Sequence, residues 1–290
     1  MSPSGTPIHI TTDPTAISST SISAAGDQGE RSITQQHVPG SRCDNRRVYR
    51  EIAPPADMAA HVACLWTTRA KGGRILPDGC ADIVWTGSRL EVAGPATLPV
   101  AAAIAPGTPV FGVRFRLGAA GAALGLPALE LADQAVPLDA VWEAEIEERV
   151  AAGGLPALVQ EVRRRLRAAE RVDPLARAAA LGLARPGARV SALGEQLNIS
   201  ERQLRRRFAD AVGYGPKTLA RILRFQRFLA LAATPGDLAG LAGLAFAAGY
   251  ADQAHLTREC VRLSGRTPAV LVAAGVQPAG EPRLLRGLTP

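Results

Sequence analysis

Ser200-Glu-Arg-Gln-Leu-Arg-Arg-Arg-Phe208, followed by Gly213-Tyr-Gly-Pro216, has a counterpart about fifty residues on. That counterpart is Asp252-Gln-Ala-His-Leu-Thr-Arg-Glu-Cys260, followed by Gly265-Arg-Thr-Pro268. The upstream flanks pair as well, Leu193-Gly194 with Leu244-Ala245 and Asn198-Ile199 with Gly249-Tyr250. A short amphipathic helix, a tight turn, a capped second helix and a Gly-x-x-Pro stop are therefore written twice, which is an internal repeat of a helix-turn-helix unit.

In the first copy Val190, Leu193 and Leu197 supply the apolar stripe, and Gly194 stands where the second helix must approach closely. Asn198 occupies the turn, where positive φ is required and Asn tolerates it better than most residues. Ser200-Glu-Arg-Gln203 is a capping box: the hydroxyl accepts from the Gln203 amide and the Gln side chain returns to the Ser amide. Leu204 and Phe208, four apart, point inward, which leaves Arg202, Arg205, Arg206 and Ala209 outward. In the second copy Asp237 and Asp252 are the expected N-caps and Gly249 the turn, while Gln253, Ala254, Thr257 and Arg258 face outward. Cys260 stands where the first copy has Phe208, which predicts looser packing there. Outward arginines on the first turns of a capped second helix suit the major groove, where Arg bridges guanine O6 and N7; Gln253 could pair with adenine and the Thr257 methyl could meet thymine. Ser200, Lys217, Arg221 and His255 are candidate phosphate contacts. Between the copies, Pro216 opens a helix running to Thr234-Pro235-Gly236, and some seventeen residues at 1.5 Å each make a strut of roughly 26 Å.

The 290 residues carry a formal charge of +7, and Lys71 and Lys217 are the only lysines. Arginine reads phosphate and guanine with a planar fork, and a GC-rich genome produces part of the same bias. The four cysteines, Cys43, Cys64, Cys80 and Cys260, form no C-x-x-C pair, as expected of reduced thiols in cytoplasm. No apolar run is long enough to span a membrane and no secretory leader opens the chain.

Residues 1–42, rich in Ser, Thr, Gly, Pro and Gln, read as a disordered leader. From residue 43 to 155 short apolar runs, Val62-Ala-Cys-Leu-Trp-Thr67, Ile83-Val-Trp-Thr86, Leu90-Glu-Val-Ala93 and Val110-Phe-Gly-Val-Arg-Phe-Arg-Leu117, are punctuated by Pro77-Asp-Gly, Thr86-Gly-Ser and Ala105-Pro-Gly. They predict a β-rich regulatory domain, a small sheet or barrel. Helical periodicity then appears over Val141–Ala151 and Leu155–Ala169, and Pro174 starts a further helix ending near Arg185-Pro186-Gly187. Residues 156–185 are thus a helical connector and the first helix of the DNA-binding unit, 186–275 the double helix-turn-helix domain, and 276–290 a flexible tail. The fold class is α+β in two domains.

The repeat, with Gly213-Tyr-Gly-Pro216 and Gly249-Tyr-Ala-Asp-Gln-Ala-His-Leu-Thr-Arg258, resembles the DNA-binding domain of the AraC/XylS family of bacterial transcriptional regulators over about residues 173–274. The resemblance implies two helix-turn-helix motifs joined by a long helix, with base contacts at Arg202, Arg205, Arg206, Gln253, Thr257 and Arg258. Leu76-Pro-Asp-Gly-Cys-Ala-Asp-Ile-Val84, Ala93-Gly-Pro95, Gly112-Val-Arg-Phe115, Val136-Pro-Leu138 and Trp142 resemble an N-terminal domain found in a subset of the family. The implied partner is double-stranded promoter DNA; RNA polymerase, a small-molecule effector of unidentified chemistry and a second copy of the chain are further partners that the resemblance allows.

Asp78, Asp82, Arg114 and Arg116 with Trp66 and Trp85 as walls are a candidate effector pocket. The competing account is turn aspartates, exposed arginines and core tryptophans. His61-x-x-Cys64 with Cys80 and Asp82 is the cluster that could collect zinc, against the ordinary role of cysteine as a small buried hydrophobe. No cofactor or metal is assigned, and no nucleophile-base pair or phosphate loop stands out. The expectation is a non-enzymatic, sequence-specific regulator. An alkyl-transfer DNA-repair protein using zinc-bound cysteine and a non-specific architectural DNA binder are the alternatives.

Overall fold

The computed structural model describes residues 49–142, 145–169, 171–185, 187–234 and 240–276. The expected leader over 1–42, nearly all of the expected tail, and the Asp237 cap lie outside the described residues. Strands β1 (Arg50–Ile52), β2 (Val62–Arg69), β4 (Asp82–Trp85), β5 (Leu90–Ala93), β7 (Pro109–Phe115) and β8 (Ala135–Pro137) form one antiparallel sheet in the order β1-β2-β7-β4-β5-β8. A separate ribbon pairs β3 (Arg74–Ile75) with β6 (Val100–Ala101).

Registry sorts the side chains into two faces, because neighbours along a strand point to opposite sides. Leu65, Val113 and Ile83 lie opposite one another across three strands, and with Val92 and Phe115 they make one face fully apolar. A short helix α1 (Ala120–Leu124) and a long helix α2 (Ile146–Leu166) belong to the core beneath it, through Ala123, Leu124, Ile146, Val150, Leu158, Val159 and Val162. Each large aliphatic side chain buried there contributes about 1.5–3 kcal/mol. Gly154 (φ 62°, ψ −151°) interrupts α2 just before Pro156, which matches the two periodic stretches of the sequence. The first stretch starts later than expected, at Ile146, because Leu138–Ala140 forms a 3-10 turn and the buried Trp142 follows it. The segment of α2 after Gly154 packs on the same sheet core as far as Val162.

The remaining helices are α3 (Pro174–Ala184), α4 (Val190–Gln196), α5 (Glu201–Val212), α6 (Pro216–Ala233), α7 (Gly240–Ala248), α8 (Gln253–Ser264) and α9 (Pro268–Ala273). They share a second core in which α6 is central, contributing Leu219, Ile222, Leu223, Phe225, Phe228 and Leu229. The two halves meet closely. Gln226 Nε2 donates to Pro77 O at 2.6 Å in a buried contact, and a Cβ on Gly79 would lie 3.2 Å from the Leu219 side chain. Gly121 faces Asp210 O and Gly213 faces Ala128 O. Glycine at positions 121 and 213 lets two backbones approach where a side chain would hold them apart.

Candidate nucleic-acid interface

Both units close their turns with the same bonds. Ile199 N donates to Gly194 O at 3.1 Å in the first and Tyr250 N to Ala245 O at 2.9 Å in the second. Asn198 has φ 51° and Gly249 φ 89°, the left-handed conformation that each residue type was expected to supply. Gly194 faces Ile199 O of its own turn, at 3.3 Å from an added Cβ, so the turn and not the second helix explains its small size. Ser200 Oγ accepts from Gln203 N at 3.3 Å, and Ser200 N donates to Gln203 Oε1 at 3.2 Å, completing the capping box of α5. Asp252 caps α8 by accepting from His255 N at 2.6 Å. Both second helices stop on a left-handed glycine whose N–H returns 2.8 Å to the carbonyl four residues back, Gly213 to Ala209 and Gly265 to Val261.

Within α5, Leu204 and Phe208 are buried, and Arg202, Arg205 and Arg206 are exposed. Arg205 pairs with Glu201 at 2.6 Å, both side chains largely in solvent. An exposed i,i+4 pair holds a guanidinium by only about 0.3–0.5 kcal/mol, less than the roughly 1–3 kcal/mol of a good bidentate base contact. Arg205 can therefore leave Glu201 for DNA. In α8, Gln253 and Arg258 are exposed, and the half-buried Thr257 donates its hydroxyl to Gln253 O at 2.9 Å, leaving its methyl as the group to offer. Leu256 and Cys260 are buried on the inner face.

The phosphate candidates separate. Lys217 is exposed at the start of α6. Ser200 is committed to its cap. His255 is half-buried: its Nδ1 accepts from Ala251 N at 3.4 Å and its ring meets Tyr250 edge-on at 5.2 Å, so it braces the turn. Arg221 faces inward along α6 and pairs with Glu259 of α8 at 2.7 Å, a correction that follows from the helix face it occupies. Two further α6 arginines are used internally. Arg227 donates to Ala184 O at 2.9 Å, and Arg224 lies over the Tyr250 ring at 5.4 Å.

A contact that sequence reasoning missed anchors α5 from behind. Asp173 caps α3, accepting from Leu175 N at 2.9 Å and Ala176 N at 3.1 Å, and also receives a two-pronged bond from Arg207 at 2.7 and 3.0 Å. Burial works to raise the Asp173 carboxyl, but the hydrogen bonds from Arg207 and the two amides outweigh it and hold the carboxyl below its usual range. An Asp immediately before Pro174 was a readable cap signal; its partner 34 residues away was not.

The supposed effector pocket does not assemble. Trp66 lies opposite Gly112 and Val84, whereas Trp85 lies opposite Phe111 in the next row, so the two tryptophans occupy opposite faces of the sheet. Trp85 stacks on Phe111, and Trp66 packs over Gly112 beside Tyr49. Arg114 is bound by Asp82 through two bonds of 3.0 Å and by Asp78 at 3.1 Å. Burial disfavours its charge, but the two carboxylates prevail and keep the guanidinium firmly protonated. Burial pushes Asp78 above the usual carboxylate range even so. Arg116 turns away to donate to Ala59 O at 2.5 Å. The cluster is an internal ion network, not a cavity floor.

Among the described residues no group of three His, Cys, Asp or Glu is placed to hold a metal ion. Cys64, Cys80 and Cys260 are buried. Burial, with Asp78 adding to it, pushes the Cys80 thiol well above its ordinary range, and burial pushes Cys260 up to about 12. Transfer chemistry needs a depressed thiol pKa.

Two capped second helices with exposed cationic and amide side chains, strung on one helix, define a DNA-binding double helix-turn-helix domain. Residues 193–274 match a family model described as a helix-turn-helix domain, and residues 50–137 match one described as a domain of unknown function, DUF6597. The match over residues 193–274 makes that part of the chain a DNA-binding helix-turn-helix domain, in keeping with a DNA-binding transcription regulator of the AraC type. No curated protein matches it. Among solved structures, ToxT from Vibrio cholerae O395 is similar at a TM-score of 0.38 and 10% identity, covering 73% of this chain and 96% of that one. An apo lysine-to-alanine variant of ToxT from Vibrio cholerae strain SCE256 is similar at 0.38 and 12%, covering 69% and 87%. Among the described residues no helix is long and apolar enough to cross a membrane.

Proposed function

We propose that this chain recognises a specific promoter sequence by placing α5 and α8 in adjacent major-groove segments of one duplex. Arg202, Arg205 and Arg206 would read bases in the first segment, and Gln253, Thr257 and Arg258 in the second. The observation that carries the reading is that both copies share cap, turn and stop while exposing groove-compatible side chains at equivalent positions, Arg206 and Arg258 among them. The first unit brings three arginines and the second one, so the first supplies most of the affinity. Modulation acts through the β-rich domain, which rests against the back of α5 and along α6. Binding of an effector, contact with RNA polymerase and pairing with a second copy are compatible extensions of this reading.

The test is DNA binding by the full chain at a site found by genome-wide occupancy mapping, in competition with bulk genomic DNA. A specific regulator prefers its site by at least roughly a thousandfold. Arg206→Ala should cost about 1–3 kcal/mol at that site and relax preference at one base position. An equal loss on every sequence makes Arg206 a phosphate contact; a missing thousandfold preference makes the protein an architectural binder.

A further inference from the structure

The two stop glycines meet different neighbours. Gly213, after α5, faces Pro95 and the Ala128 carbonyl, whereas Gly265, after α8, faces the Arg74 guanidinium, whose Nη1 is 2.5 Å from where a Cβ would stand. Arg74 belongs to β3, and its backbone is held from both sides. It pairs with Ala101 of β6, and beside that pair Ala102 N donates to Gly73 O at 2.9 Å. Three residues on, Pro77 O accepts the buried bond from Gln226 of α6. The ribbon thus delivers one arginine of the β-rich domain to the end of α8.

Two arginines of the C-terminal unit stand at the same end. Arg262 is one helical turn beyond Arg258, on the same face of α8 and roughly 6 Å further along. It is exposed, as is Arg266 just past the stop, while Leu263 and Ser264 between them are buried. Ser264 Oγ accepts from Arg266 N at 3.1 Å, which fixes the backbone there and leaves the side chain outward. Among the described residues none of the guanidinium groups of Arg74, Arg262 and Arg266 takes part in a hydrogen bond or an ion pair. Glu259, the only carboxylate within α8, is engaged by Arg221.

Length decides what that end meets. The 12 residues of α8 span roughly 18 Å, more than the major groove's width of about 12 Å. A helix that reads bases with Gln253, Thr257 and Arg258 therefore carries its last turn out to the phosphate rim, where the end of a recognition helix can contact the backbone. Arginine forks match phosphate oxygens. We propose that Arg74 of the β-rich domain is a DNA phosphate contact, acting with Arg262 and Arg266 where the duplex backbone passes the end of α8. The β-rich half of the chain thus binds DNA itself, beside the unit whose second helix offers the fewer base-facing arginines. This contact rests on the DNA-recognition reading, with α8 in the groove, but it carries no sequence information of its own.

The experiment measures binding of the full chain, by fluorescence anisotropy, to two duplexes of roughly 40 base pairs. One carries the mapped site and the other a scrambled sequence, and salt is varied from about 50 to about 200 mM. Arg74→Gln should weaken binding to both duplexes, and its slope of log K against log salt should be shallower than the parent's by about 0.9. The parent-to-variant affinity ratio at the low end of that range then exceeds the ratio at the high end by about 3.5-fold. Arg74→Lys keeps the charge and should keep the parental slope. Arg167→Gln, which removes an exposed arginine at the end of α2, should match the parent. An unchanged slope in Arg74→Gln overturns the proposal; lower urea stability in that variant would then assign Arg74 to bracing the negative end of α8. An equal loss of slope in Arg167→Gln overturns it too, as an effect of net charge alone. Equal parental affinity for the two duplexes sinks sequence-specific reading but leaves the slope comparison valid, so the two failures are told apart.

Discussion

Replacing Asp173 tests how α5 is held in place. In Asp173→Ala the amides of Leu175 and Ala176 lose their acceptor and the Arg207 guanidinium loses both of its bonds. Removing an N-cap costs about 0.5–2 kcal/mol. The upper end applies, because one carboxylate serves two helices, and we expect a loss of about 2 kcal/mol in urea unfolding of the full chain at pH 7. Asp173→Asn separates the parts: asparagine caps about as well as aspartate, so only the attraction to Arg207 is lost, and the change should be smaller. The pH dependence follows from the depressed carboxyl. A group whose folded pKa is lowered contributes stability that is present above its unfolded value, about 3.9, and is lost as pH falls through the folded value. The gap between parent and Asp173→Asn should therefore be full at pH 7 and close below about pH 4. An Asp173→Ala protein as stable as the parent, or an Asn gap that persists undiminished in acid, refutes the assignment of Asp173 as the anchor of α5.

The two helix stops provide a matched comparison. Gly213 and Gly265 are both left-handed, so alanine carries the same intrinsic cost of about 1–2 kcal/mol at each. A Cβ at Gly213 also runs into Pro95 and the Ala128 carbonyl, whereas at Gly265 it meets only the end of the Arg74 side chain, which can move; Gly213→Ala should unfold at clearly lower urea than Gly265→Ala, and equal midpoints would show that the β-rich domain does not press on that stop. The raised thiols of Cys80 and Cys260 predict that iodoacetamide at pH 8 leaves both unmodified in the native chain and alkylates both after denaturation, by mass spectrometry. Native-state labelling of Cys80 would return thiol-transfer chemistry to consideration.

Local chemistry explains why the C-terminal units were legible. Ser200 with Gln203, Asn198, Gly249, Asp252, Gly213 and Gly265 each act within four residues, and each does in the structure what its residue type requires. Strands β2, β4, β5 and β7 were visible because their apolar runs are four residues or longer, while β1, β3 and β6, two or three residues each, carry no period to detect. What escaped was tertiary. Alternation puts Trp66 and Trp85 on opposite faces only once Trp66 is paired with Gly112 and Trp85 with Phe111, and no feature of the chain states that pairing. Arg221 reads as an exposed basic residue until Glu259, 38 positions away, is set beside it. The buried Arg114 network likewise depends on Asp78 and Asp82 arriving from another strand and its preceding loop.

The duplicated units share a local grammar but not an environment, and the difference bears on how a signal could reach DNA. The first unit has the β-rich domain against it at several backbone-level contacts: Gly121 on Asp210 O, Ala128 O on Gly213, and Gln226 bonded to Pro77 O in the helix that follows. The two glycine contacts set backbone against backbone, so displacement on one side is passed to the other and not absorbed by a side-chain rotamer; the Gln226 contact, through a buried side-chain amide, adds a third tie. For the second unit, the contact at its stop glycine is with the tip of Arg74, an exposed and flexible side chain. Close-packed contacts transmit strain and solvent-exposed side chains dissipate it. Movement of the β-rich domain therefore reaches α5, the helix with three outward arginines, more directly than it reaches α8, and a change in regulatory state should alter reading of the first half-site before the second.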